Sequence, residues 1–289
     1  MKITNLMTQL KNLVWLISYL SFFFSANSLA HGRWLLPSHT NISGNAEHVI
    51  TLDMAISNDL FQGHYGFIQA SQIADMSKLT ATPASLDVIL PDGVWRKDIP
   101  FHWLKIRSSG FDTLTQTGTH HYVLNQPPVY FVIFKDASGK LDRRFGKLSQ
   151  VDLPSGAEVV STMRYMPSIH TFVSRNALTK PHRLNKGLEL IASNHPNDLF
   201  AGESAQFEIY FSGKPLNEEI EVQVVKGNTR YRNERNQQTF NLKNSHKFTV
   251  NFAEAGMYLI EAELKRPSTE TGIELDRWAL FTTLEVSPE

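Results

Sequence analysis

Short stretches in which apolar residues alternate with polar ones constrain this fold more than any other feature of the sequence. The clearest one places Ile220, Val222 and Val224 on one side, with Glu221 and Gln223 between them. Successive side chains of a β-strand point to opposite faces, so this stretch forms a strand with one apolar face. The Gly-Asn pair at 227–228 follows it as a turn signal.

The same signature recurs along the chain, bounded by Gly, Pro, Asn and Asp. The candidate strands are residues 47–57, 85–93, 120–124, 129–140, 204–216, 219–228, 247–252, 256–264 and 277–286. No long stretch has a helical period, and the best candidate for a short helix, residues 67–79, falls inside a predicted loop. We therefore predict an all-β chain built as β-sandwiches.

Two stretches, 118–124 and 256–262, suggest that the architecture is repeated. Each has a glycine followed by a strand that carries a tyrosine, Tyr122 or Tyr258. In Ig-like sandwiches a tyrosine near the start of one strand often closes a corner. We predict two tandem Ig-like domains, at residues 31–180 and 181–289, joined within the basic, Pro-containing segment 175–187.

The first 30 residues resemble a secretory signal peptide. Lys2 and Lys11 lie in a polar head, residues 12–24 are apolar, and Ser28 and Ala30 fit the small-x-small pattern of a cleavage site. The alternative is an uncleaved N-terminal anchor. We predict cleavage after Ala30 and a soluble protein exported to the periplasm, without stable membrane insertion after cleavage.

Composition excludes several classes of function. Lys plus Arg and Asp plus Glu both number 28, so nothing in the charge indicates a nucleic-acid partner. The chain has no cysteine, which excludes disulfides and thiolate chemistry. It has no Gly-rich phosphate loop, no Gly-x-Ser-x-Gly elbow and no His-Glu-x-x-His motif. We therefore assign no catalytic residue.

The chain has no cysteine, so histidine is its strongest candidate metal ligand. It has 11 histidines. Cleavage after Ala30 would make His31 the first residue, so its α-amine and imidazole could chelate one ion. Nitrogen-rich sites of this kind favour Cu(II) and Ni(II). The alternative is that a histidine happens to follow the cut.

Three further histidines are candidate ligands. His64 lies between Gly63 and Gly66 in what we interpret as a tight loop, and loops often carry ligands. His120 and His121 are adjacent on a predicted strand and must point to opposite faces, so at most one joins a given site. The alternatives are a plain surface turn for His64 and core or solvated positions for the pair.

The opening Ala30-His31-x-x-Trp34-Leu35-x-Pro37, the following AISNDLF, and the run from His195-Pro196 through Leu216 resemble a bacterial periplasmic family. It is domain-of-unknown-function family 4198, whose members are sometimes described as NikM-like and linked to nickel or cobalt uptake. The resemblance implies two β-domains behind a signal peptide and gives His31 a place in the opening motif.

Three functions remain open on these grounds. The first is a periplasmic accessory protein that binds a transition-metal ion (Ni, Co or Cu) through His31, His64 and His120 or His121. Its partner would be a metal uptake system of the membrane or outer membrane. The second is a copper monooxygenase-like enzyme with a histidine brace. The third is a metal-free Ig-like binding module.

Overall fold

The computed structural model of the chain describes residues 32–64, 84–102 and 106–289. The predicted signal peptide and its cleavage site, His31, and the helical candidate at 67–79 lie outside these residues. The described residues contain two short 3-10 turns, at Leu148–Gln150 and Thr229–Tyr231. Within the described residues, no helix has the length and apolar character needed to cross a bilayer.

The described residues otherwise form β-strands joined by turns. In chain order the strands are β1 Gly32–Pro37, β2 Asn41–Ile42, β3 His48–Ser57, β4 Ser85–Ile89, β5 Trp95–Arg96, β6 Phe101–His102, β7 Ser108–Leu114, β8 Gly118–Asn125, β9 Val129–Lys135, β10 Leu141–Phe145, β11 Glu158–Arg175, β12 Leu188–Ala192, β13 Ser204–Phe211, β14 Lys214–Pro215, β15 Ile220–Lys226, β16 Gln238–Leu242, β17 Lys247–Asn251, β18 Gly256–Pro267 and β19 Leu275–Val286. The predicted all-β sandwich class is confirmed.

These strands form one large central sheet and two smaller ones. The central sheet has eleven strands, in the order β16-β15-β18-β19-β11-β8-β4-β5, with β2, β9 and β10 attached through β11 and β9. The second sheet has the order β1-β3-β7-β6, and the third contains β12, β13, β14 and β17. Sequence periodicity located most of the strands but did not show which sheet each strand belongs to.

The two smaller sheets cover opposite faces of the central sheet. On β18, Leu259 belongs to the core shared with β1 and β3, whereas the next residue, Ile260, belongs to the core shared with β13 and β17. Phe281 and Leu280 on β19 divide in the same way. Each such side chain contributes about 1.5–3 kcal/mol by leaving water. Burial on both faces explains why β19 has an apolar run instead of strict alternation.

The 18-residue strand β11 was not recognised in the sequence, because Pro167 interrupts it. Proline lacks a backbone N–H and is rare inside sheets. On one side β11 pairs with β9 as far as Tyr165 and with β8 only from Phe172 onward. Pro167 therefore lies in a gap of this ladder, while the other side of the strand runs parallel to β19.

The segment after β11 contains the predicted domain junction at residues 180–181. It contains neither strand nor helix, but it is tied down at several points. The Asn176 side-chain amide donates to Gly44 O at 3.0 Å, and the Thr179 N–H donates to Thr119 Oγ1 at 3.1 Å. The parallel pairing of β11 and β19 also links strands from before and after this segment. The domain boundary itself stays a prediction.

Candidate metal-binding residues

The described chain begins beside the loop that carries His64. Gly32, the residue that follows His31, lies opposite Ser57 in the antiparallel pair of β1 and β3. A Cβ atom at Gly32 would lie only 2.6 Å from Leu60 Cδ2, so glycine allows the close approach of these segments.

His64 is anchored by the strand residue opposite Gly32. Its Nδ1 lies 2.9 Å from Ser57 Oγ. Ser57 Oγ also accepts the backbone N–H of Asp59 at 2.9 Å. The other ring nitrogen, Nε2, lies 3.8 Å from Asp59 Oδ2, and the His64 side chain is 51% exposed. The imidazole therefore has one nitrogen held by Ser57 and the other beside the Asp59 carboxylate, on a half-exposed side chain.

The segment between Ser57 and His64 is held in place by contacts with distant residues. Leu60 is buried, and its N–H donates to Thr229 Oγ1 at 2.9 Å. Phe61 packs edge-on against Trp34, with 5.8 Å between the ring centroids. It also closely approaches Gly227, where a Cβ would lie 2.7 Å from the Phe61 ring. The loop is thus a supported scaffold for His64 and Asp59.

His120 lies in the interior of the central sheet. It is 1% exposed, and its Nδ1 has no hydrogen-bond partner within the described residues. Burial lowers the pKa of its imidazole, an effect that the nearby Asp112 carboxylate opposes. Asp112 itself accepts hydrogen bonds from Tyr122 and Arg96. His120 is therefore a neutral residue among internal polar groups.

His121 is also buried but has different neighbours. Its Nε2 lies 3.0 Å from His170 Nδ1, and its ring stacks on Phe172 with 4.4 Å between centroids. Burial lowers its pKa to about 4. The alternation of side chains along β8 thus separates His120 from His121, as a strand requires.

The structure does not bring His64, His120 and His121 into one cluster. Within residues 32–64, 84–102 and 106–289, no group of three or more His, Asp or Glu side chains is arranged to hold a metal ion. His31 lies outside these residues, so the predicted set of His31, His64, His120 and His121 stays a prediction.

Two side chains that support His64 were missed in the sequence. Ser57 ends a strand, and Asp59 belongs to the Asn-Asp-Leu-Phe stretch of the family motif. The available signal was the short spacing of Asp59 and His64 around a predicted turn. His170, the partner of His121, was missed because its strand was not recognised.

Comparisons with solved structures return similar but distant β-proteins. Trypsin-activated alpha-2-macroglobulin from Escherichia coli has 12% sequence identity and a TM-score of 0.22, covering 88% of this chain and 16% of that chain. The D0-D1 domain of intimin has 9% identity and a TM-score of 0.22, covering 88% and 97%. A DUF3823 family protein from Bacteroides uniformis has 12% identity and a TM-score of 0.22, covering 90% and 100%. Similarities of this size carry no inference about function.

The chain spans 16% of the length of the Escherichia coli protein, so that protein's activity belongs to a much larger molecule. No curated protein matches the sequence. One family model does match, over residues 28–266, which include the segments that carry Trp34, Ser57 and His64. The chain therefore belongs to the family described as domain of unknown function DUF4198.

Proposed function

We propose that this protein is a periplasmic accessory protein that binds a transition-metal ion at its processed N-terminus and passes it to an uptake system. The observation that carries the proposal is the link from Gly32 through Ser57 to His64: Gly32 pairs with Ser57, and Ser57 Oγ lies 2.9 Å from His64 Nδ1. His31 precedes Gly32 in the sequence, and the proposal assigns its amine and imidazole to the same site as His64.

The hydrogen bonding of His64 suits a metal ligand. Ser57 Oγ has two lone pairs, so it can accept from both the Asp59 N–H and His64 Nδ1–H. In that tautomer Nε2 carries a lone pair, 3.8 Å from Asp59 Oδ2. Metal-binding histidines commonly donate their other N–H to a fixed acceptor, which orients the ring.

The available donors also indicate the class of ion. The α-amine and imidazole of His31 and the imidazole of His64 would supply three nitrogen atoms, with Asp59 close enough to contribute an oxygen or to balance charge. Nitrogen-rich sets favour Cu(II) and Ni(II). The NikM-like association of the family with nickel or cobalt uptake agrees with this class of ion. His120 and His121 are buried away from solvent and are not part of the site we propose.

The test is metal binding by the exported protein after intact mass has established that it begins at His31. Titration calorimetry with Ni(II), Co(II) and Cu(II) should reveal one site per chain that binds more tightly than any other. His64→Ala should weaken this site by about tenfold or more, as expected for loss of one ligand. His102→Ala, at another exposed histidine, is the matched control and should bind like the unchanged protein.

Other outcomes favour the remaining functions. Absence of a tight site in correctly processed protein would contradict the proposal and favour a metal-free binding module. Tight copper binding together with reductant- or peroxide-dependent oxidation of a polysaccharide would favour the monooxygenase instead of a carrier.

A further inference from the structure

Two further histidines, His39 and His48, meet at the surface. They lie near the end of the β1–β3 pair that is opposite to Gly32 and Ser57. The imidazole rings of His39 and His48 are in contact, with centroids 5.2 Å apart and planes inclined by 81°. His39 is exposed and His48 half-buried. They are nine positions apart in sequence, and the loop that contains β2 brings them together.

The backbone holds both residues in place. On either side of His39, the Ser38 N–H donates to Thr51 O at 2.8 Å and Thr40 O accepts from the Ser174 N–H at 2.7 Å. His48 begins β3 and pairs with Leu114 of β7. Only side-chain torsions remain to be fixed when both rings bind one ion, so the entropic cost of binding is small.

His39 has the same kind of support as His64. Its Nδ1 lies 3.1 Å from Ser38 Oγ, and this oxygen already accepts the Thr51 N–H at 3.0 Å. Donation from Nδ1–H to the second lone pair of Ser38 Oγ leaves the His39 Nε2 lone pair free. A serine at a strand terminus thus orients an exposed imidazole at two places in the molecule.

We propose that His39 and His48 form a second transition-metal site, in which two imidazoles chelate one ion and water fills the remaining positions. First-row metal ions bind imidazole nitrogen at about 2.0–2.1 Å, so two such nitrogens lie within about 4.2 Å of each other. The ring centroids are 5.2 Å apart, so the proposed site requires the rings to rotate until a nitrogen of each comes within this distance. Cu(II) should bind most tightly, because it leads the affinity order of divalent ions at nitrogen sites.

This site is separate from the one at His64. Gly32 and Pro37 mark the two ends of the β1–β3 pairing. Five residue steps at about 3.4 Å each place these ends roughly 17 Å apart. With two protein ligands and open access to solvent, the His39–His48 site should exchange its ion more readily than a site with three or four.

The experiment uses the processed protein carrying His31→Ala and His64→Ala, which removes both imidazole ligands of the first site and leaves only its α-amine. In this background, Cu(II) titration should still show one site, and electron paramagnetic resonance should report two imidazole nitrogens. His39→Ala and His48→Ala should each weaken binding by about tenfold or more. The double variant should be little weaker than either single variant, because chelation requires both rings. Ser38→Ala should weaken binding less than either.

The control is His102→Ala in the same background, which should leave Cu(II) binding unchanged. If the loss of affinity in the double variant equals the product of the losses in the two single variants, each histidine acts independently. That result would overturn the proposal. Unchanged binding in the double variant would also overturn it. Since the background lacks His31 and His64, failure of the first site does not alter these outcomes. If an alanine variant unfolds, the resonance spectrum of the background protein alone decides the number of imidazole ligands.

Discussion

His121 Nε2 and His170 Nδ1 lie 3.0 Å apart and share a hydrogen bond inside the central sheet. His121 belongs to β8 and His170 to β11, and both residues are buried. A second hydrogen bond joins His170 Nε2 to Ser168 Oγ at 2.6 Å. Only one of the two facing nitrogens carries the shared proton, so the tautomer of one ring fixes that of the other. The pair joins two neighbouring strands without any charge.

The buried pair should make the fold sensitive to acid. Burial lowers the pKa of His121 to about 4, and burial together with His121 lowers the pKa of His170 well below its usual value. A histidine in the unfolded chain has a pKa near 6.5. As the pH falls below about 6.5, the unfolded state binds protons first and the folded state loses relative stability.

For His121 alone the loss approaches about 3 kcal/mol by pH 4, since each pKa unit is worth about 1.4 kcal/mol. Urea unfolding at a series of pH values between about 7.5 and 4.5 measures this loss. The double variant His121→Leu/His170→Leu should flatten the dependence on pH, and His102→Ala should not. An equally steep dependence in the double variant would assign the acid sensitivity to other groups.

Asn197 should be important for stability because it connects three segments. Its side-chain amide donates to Thr40 O at 3.0 Å and to Ser174 Oγ at 2.9 Å. Its backbone N–H donates to His195 Nδ1, and His195 Nε2 in turn lies 2.8 Å from Thr119 Oγ1. We expect Asn197→Ala to lower the free energy of unfolding by about 1–3 kcal/mol, because buried partners lose their hydrogen bonds.

Chemical denaturation measures this effect. Asn233→Ala, at an exposed loop position, is the matched control and should change stability by less than about 0.5 kcal/mol. If both variants unfold at the same denaturant concentration, the network around Asn197 does not stabilise the fold.

The sequence predicted strands well and their partners poorly. Period-two alternation is local, so it identified β3, β13, β15 and β17 directly. Strand β11 was not predicted, because a proline is tolerated inside a strand only where the neighbouring strands leave a gap. At Pro167 that gap lies between β9 and β8, and it exists only in the assembled sheet. The contacts of His64 with Ser57, of His39 with His48 and of His121 with His170 depend on loop paths or strand register, and spacing alone does not indicate them.

The two tyrosines that suggested a repeat behave differently. Tyr258 donates to the carbonyl oxygen of Glu254, four residues upstream, at 2.7 Å, as a tyrosine corner does. Tyr122 instead donates to the buried Asp112 carboxylate at 2.7 Å. Tyr258→Phe should cost about 0.5–1.5 kcal/mol of stability, and Tyr122→Phe about 1.5–3 kcal/mol, because its partner is charged and buried.

Thermal unfolding of the two phenylalanine variants checks this order. Tyr231→Phe is the control, since Tyr231 is 77% exposed. A larger loss for Tyr258→Phe than for Tyr122→Phe would contradict the importance assigned to the Asp112 contact.

Cleavage of the predicted junction should not separate the two halves of the chain. Lys186 is exposed and followed by Gly187, whereas Lys180 is followed by Pro181, which blocks trypsin. We expect limited trypsin treatment to cut after Lys186 and the fragments to co-elute under native conditions. The reason is the parallel pairing of β11 with β19, from Met163–Leu275 to Thr171–Thr283. Fragments that elute separately would show that this pairing does not hold the halves together.

The final prediction concerns the α-amine that signal cleavage would create. One extra glycine before His31 keeps both imidazoles but moves the amine away, so it should weaken Ni(II) or Cu(II) binding about as strongly as His31→Ala. Ser57→Ala keeps all ligands but removes the oxygen that holds His64 Nδ1 at 2.9 Å. We expect it to weaken binding by about 10–100-fold, as loss of an outer partner of a metal-binding histidine typically does. Ser204→Ala, at an exposed serine of β13, is the control. Metal titration of the four variants gives the comparison. Normal binding by the glycine-extended protein would exclude the amine as a ligand, and normal binding by Ser57→Ala would show that the link from Gly32 through Ser57 to His64 does not orient the site.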